Sequence, residues 1–354
     1  MKPFLPCLAL AALCLATGAH CEIVVGNSSP DTGPLAHLIH FYPSNADGDA
    51  IPLRIIAPGD VNPLASPHSI EYEPRENVIY VADFVGQAIR VYGAGAAGAP
   101  APLRTLDSTF VGQVREVRID TMHDELTAIT RLSSVCTWPR LAQGNASPNR
   151  CIPWGGFPGA TSQLNNPAGL ALNQVRDEIV VGDYTAAAPN TNRILFYSRL
   201  ADPNDSAPLR TIEGPATKLG SGTNVLIALD EASQTLFALV GAYAGEAVPS
   251  AHLLVFAADG TGNIAPLRTI EGATAGLALD QEYPSGLGYD PDSGRLLISI
   301  GRYDPNGRGR VVIHSKDGNG MPVAVIAGES PGFTAVPGTA AITYDRIFRN
   351  GFDR

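Results

Sequence analysis

Side chains suited to holding a ligand recur in this chain just after short apolar runs: Asp83, Asp183 with Tyr184, Tyr243, and the consecutive Arg302, Tyr303 and Asp304, with Trp154 in a Gly-rich stretch. Carboxylates and guanidinium groups make charge-assisted hydrogen bonds, and tyrosine and tryptophan offer flat apolar area with a polar edge. That chemistry is recognition. Two common catalytic signatures are missing, since no Gly-rich loop ends in Lys followed by Ser or Thr and no H-E-x-x-H occurs. His37, His40, His68, His123, His252 and His314 are scattered without ligand spacing. DPDSG at 290–294 and DPNG at 304–307 carry the letters of a calcium loop but lack the remaining ligands and the closing Glu, so they read as turns. No residue is assigned a catalytic role.

The segments that must position these side chains repeat. Six strings share a turn, a proline and, in most, a β-branched run: GDAIPLRII at 48–56, GAPAPLRTL at 98–106, GNASPNRCI at 144–152, NDSAPLRTI at 204–212, GNIAPLRTI at 262–270 and GNGMPVAVI at 318–326. Their prolines, Pro52, Pro102, Pro148, Pro208, Pro266 and Pro322, are spaced by 46 to 60 residues. One such unit is too small to bury its own apolar face and must stack on its neighbours, so the period predicts a ring or solenoid. The stretch 167–212 divides by alternation and turn residues into four strands, AGLALN, EIVVGD, RILFYS and PLRTI. Four antiparallel strands per repeat is the blade of a β-propeller, with the proline strand outermost because proline donates no ladder hydrogen bond. Tyr42, Tyr92, Trp138 and Phe256 each stand ten residues before a repeat proline and read as packing between blades.

The chain ends predict how the ring closes. EIVVGN at 22–27 repeats EIVVGD at 178–183, so the mature chain begins on the second strand of a blade, and AAITYD at 340–345 matches a first strand. The expected fold is therefore an all-β, six-bladed propeller over 22–345, its last blade built from three N-terminal strands and one C-terminal strand, with a tail at 346–354. The loops after second strands and between blades gather on one face, and they carry the recognition residues named above. A monomer is expected.

Residues 1–21 have the form of a secretory signal peptide: Lys2, an apolar stretch too short to span a bilayer, then small residues, with cleavage after Ala19 or Cys21. No other apolar run is long enough for a transmembrane helix, which predicts a secreted or periplasmic protein. The formal net charge of −10 and the lack of a Lys/Arg cluster exclude nucleic acid as a partner. Cys136 and Cys151 are equidistant from the turn at Gln143 and Gly144, so on a hairpin their sulfurs face each other, and an oxidising compartment would join them.

PAGLALN at 167–173, IVVGD at 179–183 and NRILF at 192–196 resemble the strands of NHL-repeat propellers, and the PLRTI endings look like those of secreted bacterial propellers in that group. The likeness covers nearly the whole mature chain and speaks to fold rather than function. The ending YDRIFRNGFDR also looks like the tails of many exported bacterial proteins; a sorting role and a plain edge-covering segment both fit it. Two functional readings follow. In the first the loop face of a binding module docks a protein, glycan or small molecule of the envelope or exterior, and no cofactor is needed. In the second the chain is similar to lactonase- or lyase-type propellers, where a central calcium held by Glu, Asn and Asp side chains polarises a carbonyl. Glu116, Asn166 and Asn224 stand near first-strand starts and are the candidates for that role, although the early Glu-Gly-Pro signature of those enzymes is absent.

Overall fold

The computed structural model describes residues 21–28, 37–185, 191–221, 223–241 and 249–344. Residues 1–20, within the expected signal peptide, and the expected tail at 346–354 lie outside the described residues. Strands form six four-stranded antiparallel sheets, the blades of a single β-propeller. Blades one to five are continuous in sequence, over 67–106, 116–152, 166–213, 226–271 and 282–326. Blade six joins Glu22–Gly26, Ile39–Pro43 and Arg54–Ile56 to the C-terminal strand Ala341–Thr343. Glu22 pairs with Thr343 and Val24 with Ala341, so the two ends of the chain cover the edges that an open ring would expose, as the repeated EIVVG string predicts.

Second strands are buried along most of their length because a blade has neighbours on both faces. Every residue of Val78–Asp83 is buried. The core is accordingly divided into clusters between adjacent blades. Phe237 and Leu239 of blade four meet Leu296 and Ile298 of blade five, and Val24 and Phe41 of blade six meet Ile79 and Val81 of blade one. Tyr42, Tyr92, Trp138 and Phe256 are all fully buried in these layers.

Local chemistry explains the repeat. Fourth strands begin two residues after the repeat proline, at Arg54, Arg104, Arg150, Arg210 and Arg268, which leaves the proline just outside the ladder. These arginines are staples. Arg54 lies 3.4 Å from the ring centre of Phe41 and Arg210 3.8 Å from that of Phe196. Each also donates to a carbonyl of the next blade, Arg54 to Ala94 at 2.5 Å and Arg210 to Ala258 at 2.6 Å. First strands end in a polar residue that turns back on its own hairpin: Glu73 accepts from the amides of Arg75 and Glu76 at 2.9 and 2.8 Å, and Asp120 from those of Met122 and His123 at 2.9 and 2.8 Å. The last residue of these turns is left-handed, with φ from 50° to 65° at Asn77, Asp124, Asp177, Gln234 and Gly294, which suits Asn, Asp and Gly.

Cys136 and Cys151 lie directly opposite each other on the third and fourth strands of blade two and form a disulfide, with their Cα atoms 4.1 Å apart. Among the described residues, no helix is long and apolar enough to cross a membrane.

Candidate functional site

The loop face holds a cavity of about 430 Å³ between blades three, four and five. Tyr184 ends the second strand of blade three, and Thr223 with Asn224 lies between blades three and four. Gln281 and Tyr283 come from the junction of blades four and five, and Tyr303 follows the second strand of blade five. Tyr283 and Tyr303 form a platform, their ring centres 4.8 Å apart and their planes at 39°. Tyr303 is 68% exposed. Burial raises the pKa of Tyr283, with Tyr303 adding to the effect, so its hydroxyl stays protonated as a donor. The hydroxyls of Tyr184, Thr223, Tyr283 and Tyr303 and the amides of Asn224 and Gln281 make no hydrogen bond with any described residue. Glu282 also lines the cavity, and it is held by Arg302 at 3.2 Å and Arg310 at 2.5 Å.

A backbone irregularity positions Tyr283. The ladder register slips between Pro284 and Gly286, as it does between Pro167 and Gly169 and between Pro67 and Ser69. A bulge of this kind bends the strand and re-aims the residues beside it. Tyr283 occupies the place that Asn166 takes in blade three, directly before the proline. That is the signal in the sequence by which Tyr283 was findable.

Of the residues expected on the loop face, the structure brings Tyr184 and Tyr303 together in this cavity, and Asn224 with them. Arg302 stands behind it, bonded to Glu282. Asp304 is exposed and accepts from the amide of Asn306 at 3.0 Å within its own turn. Trp154 is 37% exposed and packs edge-on against Phe157, with ring centres 5.7 Å apart, away from the cavity. Tyr243 lies outside the described residues. Asp83 and Asp183 are corrected: neither is an exposed loop group, for both are wholly buried. Asp83 accepts from the Ser66 amide at 2.6 Å and pairs with Arg90 at 2.7 Å; Asp183 accepts from the Asn165 amide at 2.9 Å and pairs with Arg193 at 3.1 Å. Each carboxylate turns inward because the incoming inter-blade loop presents backbone N–H groups that have no strand partner, and the arginine on the third strand balances its charge.

A second cavity, about 540 Å³, opens at the opposite end of the axis, where the first strands end. Acidic and basic side chains on its wall are bonded within the protein. Asp230 binds Lys316 at 2.5 Å and Ser233 at 2.6 Å, Glu231 accepts from the Gln174 amide at 2.8 Å, and Asp290 accepts from the hydroxyls of Tyr344 and Ser293. Arg118 lies between two carboxylates, bonded to Glu116 and 3.6 Å from Glu71. Burial pushes the Glu116 carboxyl up to about 7, against the pull of Arg118.

The oxygen donors proposed for a calcium ion have separate surroundings. Glu116 is engaged by Arg118 and by the Leu170 amide at 3.1 Å, the Asn166 amide donates to Asn165 at 2.6 Å, and Asn224 lines the loop-face cavity. Among the described residues, no three His, Cys, Asp or Glu side chains are grouped to hold a metal ion. Glu116 is the carboxylate among the three, and it is already bonded to the Arg118 guanidinium. Gly328-Glu329-Ser330-Pro331-Gly332 has the letters of a nucleophile elbow. Its Ser330 hydroxyl donates to Asp49 at 2.9 Å in an exposed turn, with no strand-to-helix geometry around it, so it is a loop bond.

The chain matches no protein-family model and no curated protein sequence. Solved structures do match. A chain of the crystal structure titled as a nidogen/laminin complex aligns at 12% identity with a TM-score of 0.59, over 91% of this chain and 98% of that one. At that identity the likeness shows the β-propeller fold and no more.

Proposed function

We propose that this chain is a non-catalytic binding module, exported from the cell, that docks its ligand on the loop face. The observation that carries this reading is the cavity between blades three, four and five, whose hydroxyl and amide groups have no partner among the described residues. A polar group in a concave site that no protein atom satisfies is available to water or to a ligand, and rigid scaffolds commonly present ligand sites this way. The disulfide and the signal-peptide-like N-terminus support an oxidising, extracytoplasmic setting. The NHL-like repeat strings fit a scaffold that serves docking. The similar solved structure was determined as a complex of nidogen with laminin, which adds proteins to the ligands such a ring accommodates.

The test is binding of the purified protein to separated polysaccharide and protein fractions of the cell envelope, compared with a Tyr184→Ala/Tyr303→Ala variant. We expect the variant to keep its thermal stability and lose binding. Undiminished binding by the folded variant would remove the loop-face reading. Calcium is titrated alongside: a rise in melting temperature by mass action, lost in Glu116→Gln, would return the metal-dependent enzyme to first place.

A further inference from the structure

Resting on the loop-face reading above, we infer that the cavity between blades three, four and five is a site for a neutral saccharide. The argument is one of matching donors, acceptors and shape. Hydroxyl and amide side chains each donate and accept, as sugar hydroxyls do, whereas an anion wants donors alone and an ammonium acceptors alone. Asn224, Gln281 and Thr223 present such groups without any protein partner among the described residues. Charge agrees with this. The ionisable carboxylate on the wall, Glu282, is already held by two guanidinium groups, so it offers a cationic ligand no uncompensated charge.

Shape narrows the class further. The Tyr283–Tyr303 platform, with ring centres 4.8 Å apart, presents flat apolar area of the kind on which the C–H face of a pyranose ring stacks. Tyr184 contributes a third ring. A volume of about 430 Å³ lies in the range of small-molecule sites and is compact, whereas a folded partner engages a broad surface, typically about 800 Å² on each side. Leu279, Pro249 and Pro284 complete the wall with apolar surface and add no competing charge.

The experiment is saturation-transfer NMR on the full chain with glucose, galactose, mannose, N-acetylglucosamine and their 1,4-linked disaccharides, followed by calorimetric titration of any that respond. The expected result is binding of at least one neutral sugar, weakened about tenfold or more by Asn224→Ala and by Tyr303→Ala and unchanged by Val175→Ala at the other end of the axis. Glucosamine and glucuronate, which carry charge, should bind no better than the neutral sugar. Silence across the panel overturns the inference, as does sugar binding that survives both loop-face substitutions. Should the envelope protein fraction bind and the Tyr184→Ala/Tyr303→Ala variant lose it while no sugar responds, the saccharide class is wrong and the loop-face reading stands.

Discussion

The two ends of the propeller axis are built from the same repeated strands and differ in what their polar groups do. Where first strands end, Asp230, Glu231 and Asp290 are bonded to Lys316, Gln174 and Tyr344. At the loop face, Asn224, Gln281 and three tyrosines have no such partners among the described residues. The larger cavity is thus the internally satisfied one. Its network links hairpins of different blades, as when Lys316 of blade five reaches Asp230 of blade four, and so contributes to holding the ring closed. Cavity volume by itself is a poor guide to function; the state of the hydrogen-bonding groups on its wall says more.

Substitutions that separate the two ends put this contrast at risk. Arg118→Ala should be the most damaging, destabilising by about 3 kcal/mol or more above neutral pH, because it leaves Glu116 and Glu71 without their shared cation. Denaturant unfolding measures it, and a loss below about 1 kcal/mol would show that the network is not structural. Glu116→Gln acts through pH. The parent carboxyl is raised from 4.5 to about 7 in the folded protein, so below pH 4.5 it is protonated in both states and its stabilising contribution is complete. As pH rises from 4.5 to about 7 the unfolded chain ionises first and stability falls. The variant should lack this decline, worth roughly 2 to 3 kcal/mol, and parallel pH–stability curves for the two proteins would refute the assignment.

Smaller effects sharpen the comparison. Tyr344→Phe removes a hydroxyl that donates to the buried Asp290 carboxylate and should cost about 1.5 kcal/mol, read from the shift in denaturation midpoint. Asn224→Ala at the loop face should change stability by less than about 0.5 kcal/mol, because the amide gives up no hydrogen bond with any described residue. A thermal scan showing Asn224→Ala to be as damaging as Tyr344→Phe would erase the distinction between the two ends.

Asp83, Asp183 and Tyr184 look alike in the sequence, as polar residues that follow an apolar run. In the ring the two aspartates fold inward onto the amides of Ser66 and Asn165, while Tyr184 lines a cavity. Nothing in the local pattern separates them, because the deciding partner arrives on a loop about 18 residues upstream. Tyr283 carries one sequence mark, its place directly before the bulged proline, which it shares with Asn166.

From sequence alone come the blade, its six-fold repetition, the pairing of the chain ends and the Cys136–Cys151 bond, because each rests on local periodicity or on nearest neighbours in a hairpin. What tertiary structure decided is which polar groups meet. The loop-face cavity draws on residues from Tyr184 to Tyr303, and the opposite end on residues from Ile70 to Tyr344. Those distances are closed by the curvature of the ring, and no short-range pattern encodes whether the groups so assembled satisfy one another or are left facing a ligand.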